Sequence, residues 1–255
     1  MPRTNRPRFI ALVERLGHVQ PDLADSAAAI RSGMVMVNRV IVTNPASRVP
    51  ADAAIKLRRP RPPRGQLKLA AALDAFDVAV RSRTAADIGA SIGGFTLALL
   101  SAGARRVYAV DAGHGQLLGR LRLDPRVVNL EATNLANLHP RLIPEPIEVI
   151  TVDLSYLALA DAAPQLEALT IAPGADLVAL VKPMYELGLA APPDSGALRQ
   201  KAVEQAASGF EQCGWRFCQA IESPVLGSHG SIEHLAHFHR RGEASHEDDS
   251  RRANH

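Results

Sequence analysis

The sequence predicts an α/β protein in which a parallel sheet is covered by helices and preceded by a small α+β unit. From about residue 68 to residue 240, short apolar runs alternate with segments of helical composition, which is typical of βαβ units. Four of the apolar runs end at a polar residue, namely Asp87, Asp111, Asp153 and Lys182. Because parallel strands finish at one edge of a sheet, where ligands bind, these four residues are expected to lie together.

The first sixty residues have a different pattern, which predicts a separate unit over residues 1–59. Apolar residues repeat at helical spacing from Phe9 to Leu16 and again from Leu23 to Ile30, and Gly33 follows as a helix C-cap. The runs at 34–37, 40–43 and 54–57 have strand composition. We therefore expect two helices packed on a small sheet.

A basic, proline-rich stretch follows this unit and predicts a linker over residues 60–67. A strip of positive charge without acidic residues is typical of phosphate contact, although a solvated hinge is an equally good interpretation. The candidate RNA-binding residues are Arg58, Arg59, Arg61 and Arg64. The last residues, 242–255, lack apolar periodicity and predict a disordered tail.

Composition limits the classes of function. With 255 residues, 47% hydrophobic residues and a net charge of +3, the chain has the profile of a globular protein that tolerates an anionic partner. Cys213 and Cys218 have no metal-ligand spacing, and the histidines between residues 229 and 239 lack carboxylate or thiol partners at such spacing, so no metal site is expected. No apolar run reaches membrane-spanning length or forms a signal-peptide core, so we expect a cytoplasmic protein with no membrane partner.

The segment "DIGASIGGFT", from Asp87 to Thr96, predicts a cofactor loop between a strand and a helix. Its glycines permit a tight turn and a close approach of the backbone to a ligand. Asp111 follows Gly89 by 22 residues, where a carboxylate can accept both hydroxyls of a ribose. Asp87 favours S-adenosylmethionine over NAD, because the methionine moiety carries an ammonium group. For Asp87, Asp111 and Asp153, helix capping remains an alternative role.

Several motifs in order resemble one family. They are "RGQLKLAAALDAF", "ADIGASIGGFTLALLSAGARRVYAVDAGHGQL", "DPRVVNLEATNL", "VDLSYLAL", "LVKPMYELG" and "GSHGSIEHL". This set resembles the hemolysin A-like (TlyA) family of S4-domain-linked, FtsJ-type ribosomal RNA 2′-O-methyltransferases, over roughly residues 8 to 240. The resemblance implies a Rossmann-like S-adenosylmethionine-dependent methyltransferase domain over residues 68–241 and an S4-like RNA-binding domain over residues 1–59.

The resemblance also implies a site. The family's Lys-Asp-Lys-Glu catalytic set falls on Lys68, Asp153, Lys182 and Glu233. The S-adenosylmethionine site would draw on Asp87, Gly89, Ala90, Ser91, Gly93, Phe95, Thr96, Asp111 and Asn134. In this interpretation Lys182 accepts the proton of a ribose 2′-hydroxyl, Lys68 contacts the substrate, and the two carboxylates orient the ammonium groups. The partner would be ribosomal RNA or a ribosomal subunit.

The chain departs from the family pattern at three places. Asp22-Leu23 stands where the family has a Ser-Arg pair, which replaces a phosphate-binding cation with an anion. The segment after "VKPMYELG" is short, and Ser231, Ile232 and His234 replace the family's residues around the glutamate. These departures keep open an alternative, a catalytically weak RNA-binding or ribosome-associated protein that retains the methyltransferase fold. The membrane-lytic activity in the family's name has no amphipathic or spanning segment to support it.

Overall fold

The computed structural model describes residues 8–58 and 62–241, and the chain divides between Arg61 and Pro62 into two compact units. Arg59 and Arg61 of the predicted basic strip lie outside the described residues, as does the predicted tail at 242–255. In the described part of the chain, no helix is both long enough and apolar enough to cross a membrane.

The N-terminal unit is a small α+β structure. Its elements within residues 8–58 are β1 Phe9–Ala11, α1 Leu12–Val19, α2 Ser26–Arg31, β2 Val35–Val37, β3 Val40–Ile41, β4 Arg48–Pro50 and β5 Ile55–Leu57. Strands β3, β2 and β5 form an antiparallel sheet in that order, and β1 pairs with β4. Leu12, Leu16 and Ile30 are fully buried, so the helices pack on an apolar core.

The first helix begins later than its apolar spacing predicts. Phe9 and Ile10, which were expected to be helical, form strand β1, in which Ile10 pairs with Val49. The spacing is misleading here because Ile10 is buried by a partner strand far along the chain rather than by a helical face. The prediction was therefore wrong for these two residues.

The C-terminal unit alternates strands and helices. Its helices are α3 Arg64–Ala75, α4 Gly94–Ser101, α5 Gly119–Arg122, α6 Leu159–Leu166, α7 Pro183–Glu186 and α8 Gly196–Gln212, with 3-10 turns at Leu135–Asn137 and Ser228–Gly230. Its strands are β6 Thr84–Ile88, β7 Arg106–Val110, β8 Val127–Leu130, β9 Ile147–Val152, β10 Ile171–Val181, β11 Trp215–Glu222 and β12 His234–Arg240.

These strands form one sheet in the order β11-β12-β10-β9-β6-β7-β8 within the described residues. Strands β6 to β10 are parallel to one another, whereas β12 is antiparallel to both β10 and β11. Helices α6 and α8 cover one face, and α3 and α4 cover the other. The central strands β6 and β9 and the end of β10 are mainly apolar because both of their faces are buried, whereas the edge strands β8 and β11 are only partly buried. The predicted α/β fold class with a mostly parallel sheet is confirmed.

Helix α3 starts at Arg64, so residues 64–67, which were expected to belong to the linker, form its first turn. The prolines of this region end at Pro63, immediately before the helix, and therefore do not interrupt it. Gly65 and Gly94 let α3 and α4 approach closely, since a Cβ atom on Gly94 would lie only 3.0 Å from the Cα atom of Gly65. This contact fixes α3, which carries Lys68, beside the glycine loop.

Candidate active site

The ends of the central strands bring Asp153 and Lys182 together. Asp153 follows β9 and Lys182 follows β10, and the two strands are paired in parallel. The Nζ atom of Lys182 lies 2.6 Å from Oδ1 of Asp153, although the two groups are not aligned as a hydrogen bond. The same Nζ donates a hydrogen bond of 2.6 Å to Oγ of Ser155. Lys182 is therefore held by two oxygens from the β9 strand end.

A second ion pair joins Lys68 to Glu233. Lys68 lies on α3, and Glu233 directly precedes β12. Both residues are buried, and Nζ of Lys68 donates to Oε2 of Glu233. Because β12 is antiparallel to β10, its beginning lies at the edge where β10 ends, and His234 pairs with Val181. The structure thus brings all four members of the predicted catalytic set to one edge of the sheet.

The loop before Glu233 is held by Arg64 and requires a glycine. The guanidinium group of Arg64 donates to the carbonyl oxygens of Leu226 and Gly227, the second at 2.9 Å. A Cβ atom on Gly227 would lie 2.1 Å from Oε1 of Glu233. The Glu233 carboxylate therefore occupies the space that a side chain at residue 227 would fill. Arg64, predicted to bind RNA, has its donors directed at this loop.

The glycine loop is shaped by packing as well as by any ligand. Gly89 has φ +84°, and a Cβ atom there would lie 2.2 Å from the carbonyl oxygen of Asp153. Gly93 has φ +93°, and a Cβ atom there would lie 2.1 Å from a methyl carbon of Leu121. Both positions are closed to other residues by conformation and by space. Gly93 therefore serves the packing of α4 against α5, and it does not line the cavities described below.

Asp87 is a buried anchor of the loop. Its carboxylate accepts hydrogen bonds from the hydroxyls of Thr96, at 2.6 Å, and Thr151, at 3.0 Å. Thr96 and Thr151 lie on α4 and β9, so Asp87 connects the start of the helix to the neighbouring strand. Complete burial raises the pKa of Asp87 to about 6, against the lowering effect of the two hydroxyls. Asp87 and Thr96 were expected at the cofactor site, but the structure places them beneath the loop.

A cavity of about 260 Å³ opens at the ends of β6, β7 and β9. Asp111, which directly follows β7, accepts hydrogen bonds from the backbone N–H groups of Ser91, at 2.7 Å, and Gly113, at 2.6 Å. A carboxylate has about four acceptor positions, so two remain for hydroxyl groups of a ligand. Ile88, Val110 and Leu135 provide apolar walls. We call this space the first cavity, and its polar and apolar parts suit the nucleoside of S-adenosylmethionine.

The predicted cofactor residues occupy different positions around this space. Gly89, Ser91 and Asp111 line the first cavity, and Gly89, Ala90, Ser91 and Phe95 line a smaller adjoining space of about 110 Å³. Asn134 lies outside both linings, because its side chain accepts from the N–H of Ala136 and caps the 3-10 turn, while its neighbours Thr133 and Leu135 face the cavity.

The sequence interpretation missed other residues of the lining. Ala112, Gly113, Gln116, Leu154, Ser155 and Tyr156 also line the first cavity. Tyr156 is more than half exposed, and partial burial together with the charge of Asp111 raises the pKa of its hydroxyl. These residues lie in loops after the strands, and the sequence signal for them was their position directly after Asp111 and Asp153.

A second cavity, of about 200 Å³, lies beside the first. Its lining includes Ser155, Lys182, Tyr185, Ser231 and Glu233. The Tyr185 ring is partly exposed, and its centroid lies 5.9 Å from the Nζ atom of Lys182, within reach of a cation–π contact. The lining of the second cavity therefore combines charged groups, hydroxyl groups and an aromatic ring.

Two groups of charged residues outside the catalytic set have contacts or surroundings of their own. Arg58 is exposed in the N-terminal unit, where Arg39, Lys56 and Arg58 line a groove of about 830 Å³ with Met36 and Ile55. At the opposite end of β12, His237 and His239 contact the carboxylate of Asp176, which is also paired with Arg83. These contacts lower the pKa of Asp176 to about 2 and account for two of the histidines as structural partners.

The seven-stranded sheet, the glycine loop and the cavity at Asp111 together define a methyltransferase of the Rossmann-like class that uses S-adenosylmethionine. The chain belongs to the FtsJ-like methyltransferase family, whose model matches residues 62–240. The predicted enzyme class and the predicted cofactor are confirmed by this membership.

The chain is also similar to individual proteins that are named as rRNA methyltransferases or hemolysins. The chain is 37% identical over 219 residues to the 16S/23S rRNA (cytidine-2′-O)-methyltransferase TlyA of Mycobacterium tuberculosis, covering 82% of this chain and 81% of that protein. It is 35% identical over 221 residues to Hemolysin A of Brachyspira hyodysenteriae, covering 82% and 90%. A solved structure from Streptococcus thermophilus with a provisional hemolysin name superposes with a TM-score of 0.67 at 30% identity, covering 92% and 89%. The predicted resemblance to the hemolysin A-like (TlyA) proteins is confirmed.

Proposed function

We propose that this protein transfers a methyl group from S-adenosylmethionine to the ribose 2′-oxygen of a nucleotide in ribosomal RNA. The observation that carries the proposal is the position of Lys182, whose Nζ atom lies 2.6 Å from Asp153 and 2.6 Å from Ser155 at the boundary of the two cavities. The Mycobacterium tuberculosis relative is named for the same reaction on 16S and 23S rRNA.

The donor would supply an electrophilic methyl group on a sulfonium. The protein must then position a ribose hydroxyl, which is a weak nucleophile, and remove its proton as it attacks. Lys182 is suited to this role because its amine reaches the second cavity while Asp153 stabilises the ammonium that forms. A positioned general base contributes roughly 10² to 10⁴-fold to the rate of such a step.

The buried Lys68–Glu233 pair would act on the substrate side of the same reaction. Glu233 lines the second cavity, and its ion pair with Lys68 keeps that carboxylate from acting as an unpaired charge beside Lys182. We propose that Lys68 and Glu233 together orient the ribose or its phosphate, and that Asp153 orients Lys182. Lys68, Asp153, Lys182 and Glu233 then form one catalytic set with divided roles.

For the cofactor, we propose that Asp111 accepts the ribose hydroxyls and that the backbone from Gly89 to Ser91, with Phe95, borders the methionine moiety. Their position in the linings of the first cavity and the adjoining space supports this assignment. Asp87, Gly93 and Thr96 would contribute by holding the loop in shape, and Asn134 by fixing the turn that presents Thr133 and Leu135.

We further propose that residues 1–59 form an S4-like RNA-binding domain and residues 68–241 the methyltransferase domain, with ribosomal subunits as cytoplasmic partners. The groove lined by Arg39, Lys56 and Arg58 supports RNA binding, because its cations can contact phosphates. Leu23 stands where the family carries an arginine, and the neighbouring Asp22 is exposed and negatively charged, which predicts weaker RNA binding by that part of the domain.

The test is transfer of a labelled methyl group to purified small subunits, large subunits and free ribosomal RNA. Lys182→Met should lower the rate by at least about 100-fold, the low end of general-base effects, whereas the control Lys201→Met, at an exposed lysine of α8, should retain it. Label released as 2′-O-methylnucleoside would support the proposal. Label in none of the acceptors, despite tight donor binding, would refute it and favour a catalytically weak RNA-binding protein.

A further inference from the structure

Ser155 connects the two cavities of the candidate active site. Among the described residues, it is common to the lining of the first cavity, beside Gly89 and Asp111, and of the second, beside Lys182 and Glu233. A methyl group can move in line only if the acceptor oxygen lies at the junction of donor and acceptor spaces. The reacting 2′-hydroxyl must therefore come close to Ser155.

Ser155 is also in direct contact with the base. Its Oγ atom accepts a hydrogen bond of 2.6 Å from Nζ of Lys182, and the residue is exposed. A serine hydroxyl is a donor as well as an acceptor, whereas the carboxylate of Asp153 on the other side of Lys182 can only accept. Of the two oxygens that hold Lys182, that of Ser155 already carries a proton, which it can give to Lys182 while it accepts another.

Other hydroxyls of the second cavity lack this combination. Ser228 and Ser231 line the second cavity, but neither lines the first. The hydrogen bonds of the described residues join Lys182 to Ser155 and to no other hydroxyl. The position of Ser155 is fixed from behind, since Leu154 is buried and the N–H of Asp153 donates to Ile88 at 2.8 Å.

We propose that Ser155 is a further catalytic residue, which relays the proton of the substrate's 2′-hydroxyl to Lys182. This inference rests on the proposed function. With Lys182 neutral, the Ser155 hydroxyl donates to the nitrogen lone pair and its oxygen accepts from the 2′-hydroxyl. As attack proceeds, the 2′-oxygen gains the methyl group and loses its proton to Ser155, whose own proton moves to Lys182.

The step is balanced. The O–H bond of the ribose breaks, an O–CH₃ bond forms, and the sulfonium of the donor becomes a neutral thioether as its bond to the methyl group breaks. Ser155 ends with one proton, as it began, and Lys182 ends as an ammonium ion paired with Asp153. Loss of that proton to solvent restores the starting state.

The experiment compares Ser155→Ala and Ser155→Thr with wild type in single-turnover methyl transfer to ribosomal RNA. Ser208→Ala, at an exposed serine of α8, is the matched control. Loss of the relay should slow Ser155→Ala by about 100-fold, while Ser155→Thr, which keeps a hydroxyl, should retain most of the rate. The thermal midpoint should be the same in all four proteins, and calorimetry should show that each of them still binds S-adenosylhomocysteine, so that a slower rate reports on the transfer step.

Rates in mixtures of H₂O and D₂O distinguish a relay from simple positioning. Two protons move in the wild-type step, so its rate should fall along a curve as the deuterium fraction rises, and Ser155→Ala should give a straight line. A straight line for wild type, or full activity of Ser155→Ala, would overturn the relay and leave the proposed function standing. Absence of transfer by wild type to any ribosomal RNA would refute both.

Discussion

The buried Lys68–Glu233 pair predicts a large and specific loss of stability when either partner is removed. The side chains are only 8% and 5% exposed, so a single substitution leaves one charge uncompensated in the interior. Breaking such a pair costs about 3–5 kcal/mol. For a unit of this size each kcal/mol shifts the midpoint by about 2–4 °C, so Lys68→Met or Glu233→Gln should lower the thermal midpoint by roughly 6–20 °C.

The assay is unfolding followed by the fluorescence of Trp215, the one tryptophan of the chain, which is fully buried in the C-terminal unit. The double variant Lys68→Met/Glu233→Gln should be more stable than the sum of the single losses predicts, because no charge is then left unpaired. Lys201→Met provides the control, with a change within about 0.5 kcal/mol, as for an ordinary surface position. Single variants as stable as the control, or strictly additive losses, would refute the reasoning.

Three further predictions concern the loop and the arginines. Folding raises the pKa of Asp87 from 3.8 to about 6, so protonated Asp87 stabilises the folded state at low pH, and this stabilisation is lost as the pH rises through 6. Between pH 4 and pH 7 the free energy of unfolding of Asp87→Asn, measured in urea, should therefore rise by about 2 kcal/mol relative to that of wild type. A difference between the two proteins that does not depend on pH would contradict this. Gly89→Ala should weaken S-adenosylhomocysteine binding measured by calorimetry, because its Cβ atom would lie 2.2 Å from a neighbouring backbone oxygen, while Gly119→Ala, with nothing within 4 Å, should not. Arg58→Met should reduce the slope of log K against log salt for RNA binding by about 0.7–0.9. Arg64→Met should leave this slope unchanged and lower turnover instead, because the donors of Arg64 are taken by carbonyl groups. Equal effects of the two substitutions on the slope would show that Arg64 also contacts phosphate.

The strand-end residues were the most predictable part of the molecule. Asp111, Asp153 and Lys182 directly follow β7, β9 and β10, as the apolar runs indicate, because strands buried on both faces stop where polar residues begin. Asp87 is different, since β6 continues through Ile88 and takes the carboxylate into the interior. When a buried polar residue has hydrogen-bond partners in the interior, as Asp87 has in Thr96 and Thr151, the apolar run before it does not show whether the strand ends there or continues.

Contacts between distant segments could not be predicted from local patterns. The pairing of β1 with β4, the Arg64 contacts to residues 226 and 227, and the position of Ser155 depend on how loops return to the sheet. The expectation for Lys68 and Glu233 came from the family resemblance alone, because these residues are 165 positions apart. The fold brings Lys68 and Glu233 together, and the sequence indicates this contact only through the family motifs in which the two residues lie.

The antiparallel orientation of β12 has a consequence for biosynthesis. Chains are made from the N-terminus, so β6 to β10 leave the ribosome with Asp153 and Lys182 before β12 exists, and one side of β10 is then an open strand edge. Glu233 and β12 arrive together, pair this edge and give Lys68 its counter-ion in the same event. A nascent chain that stops before residue 233 therefore lacks the complete site, and the protein gains its proposed activity only after Glu233 and β12 have been made.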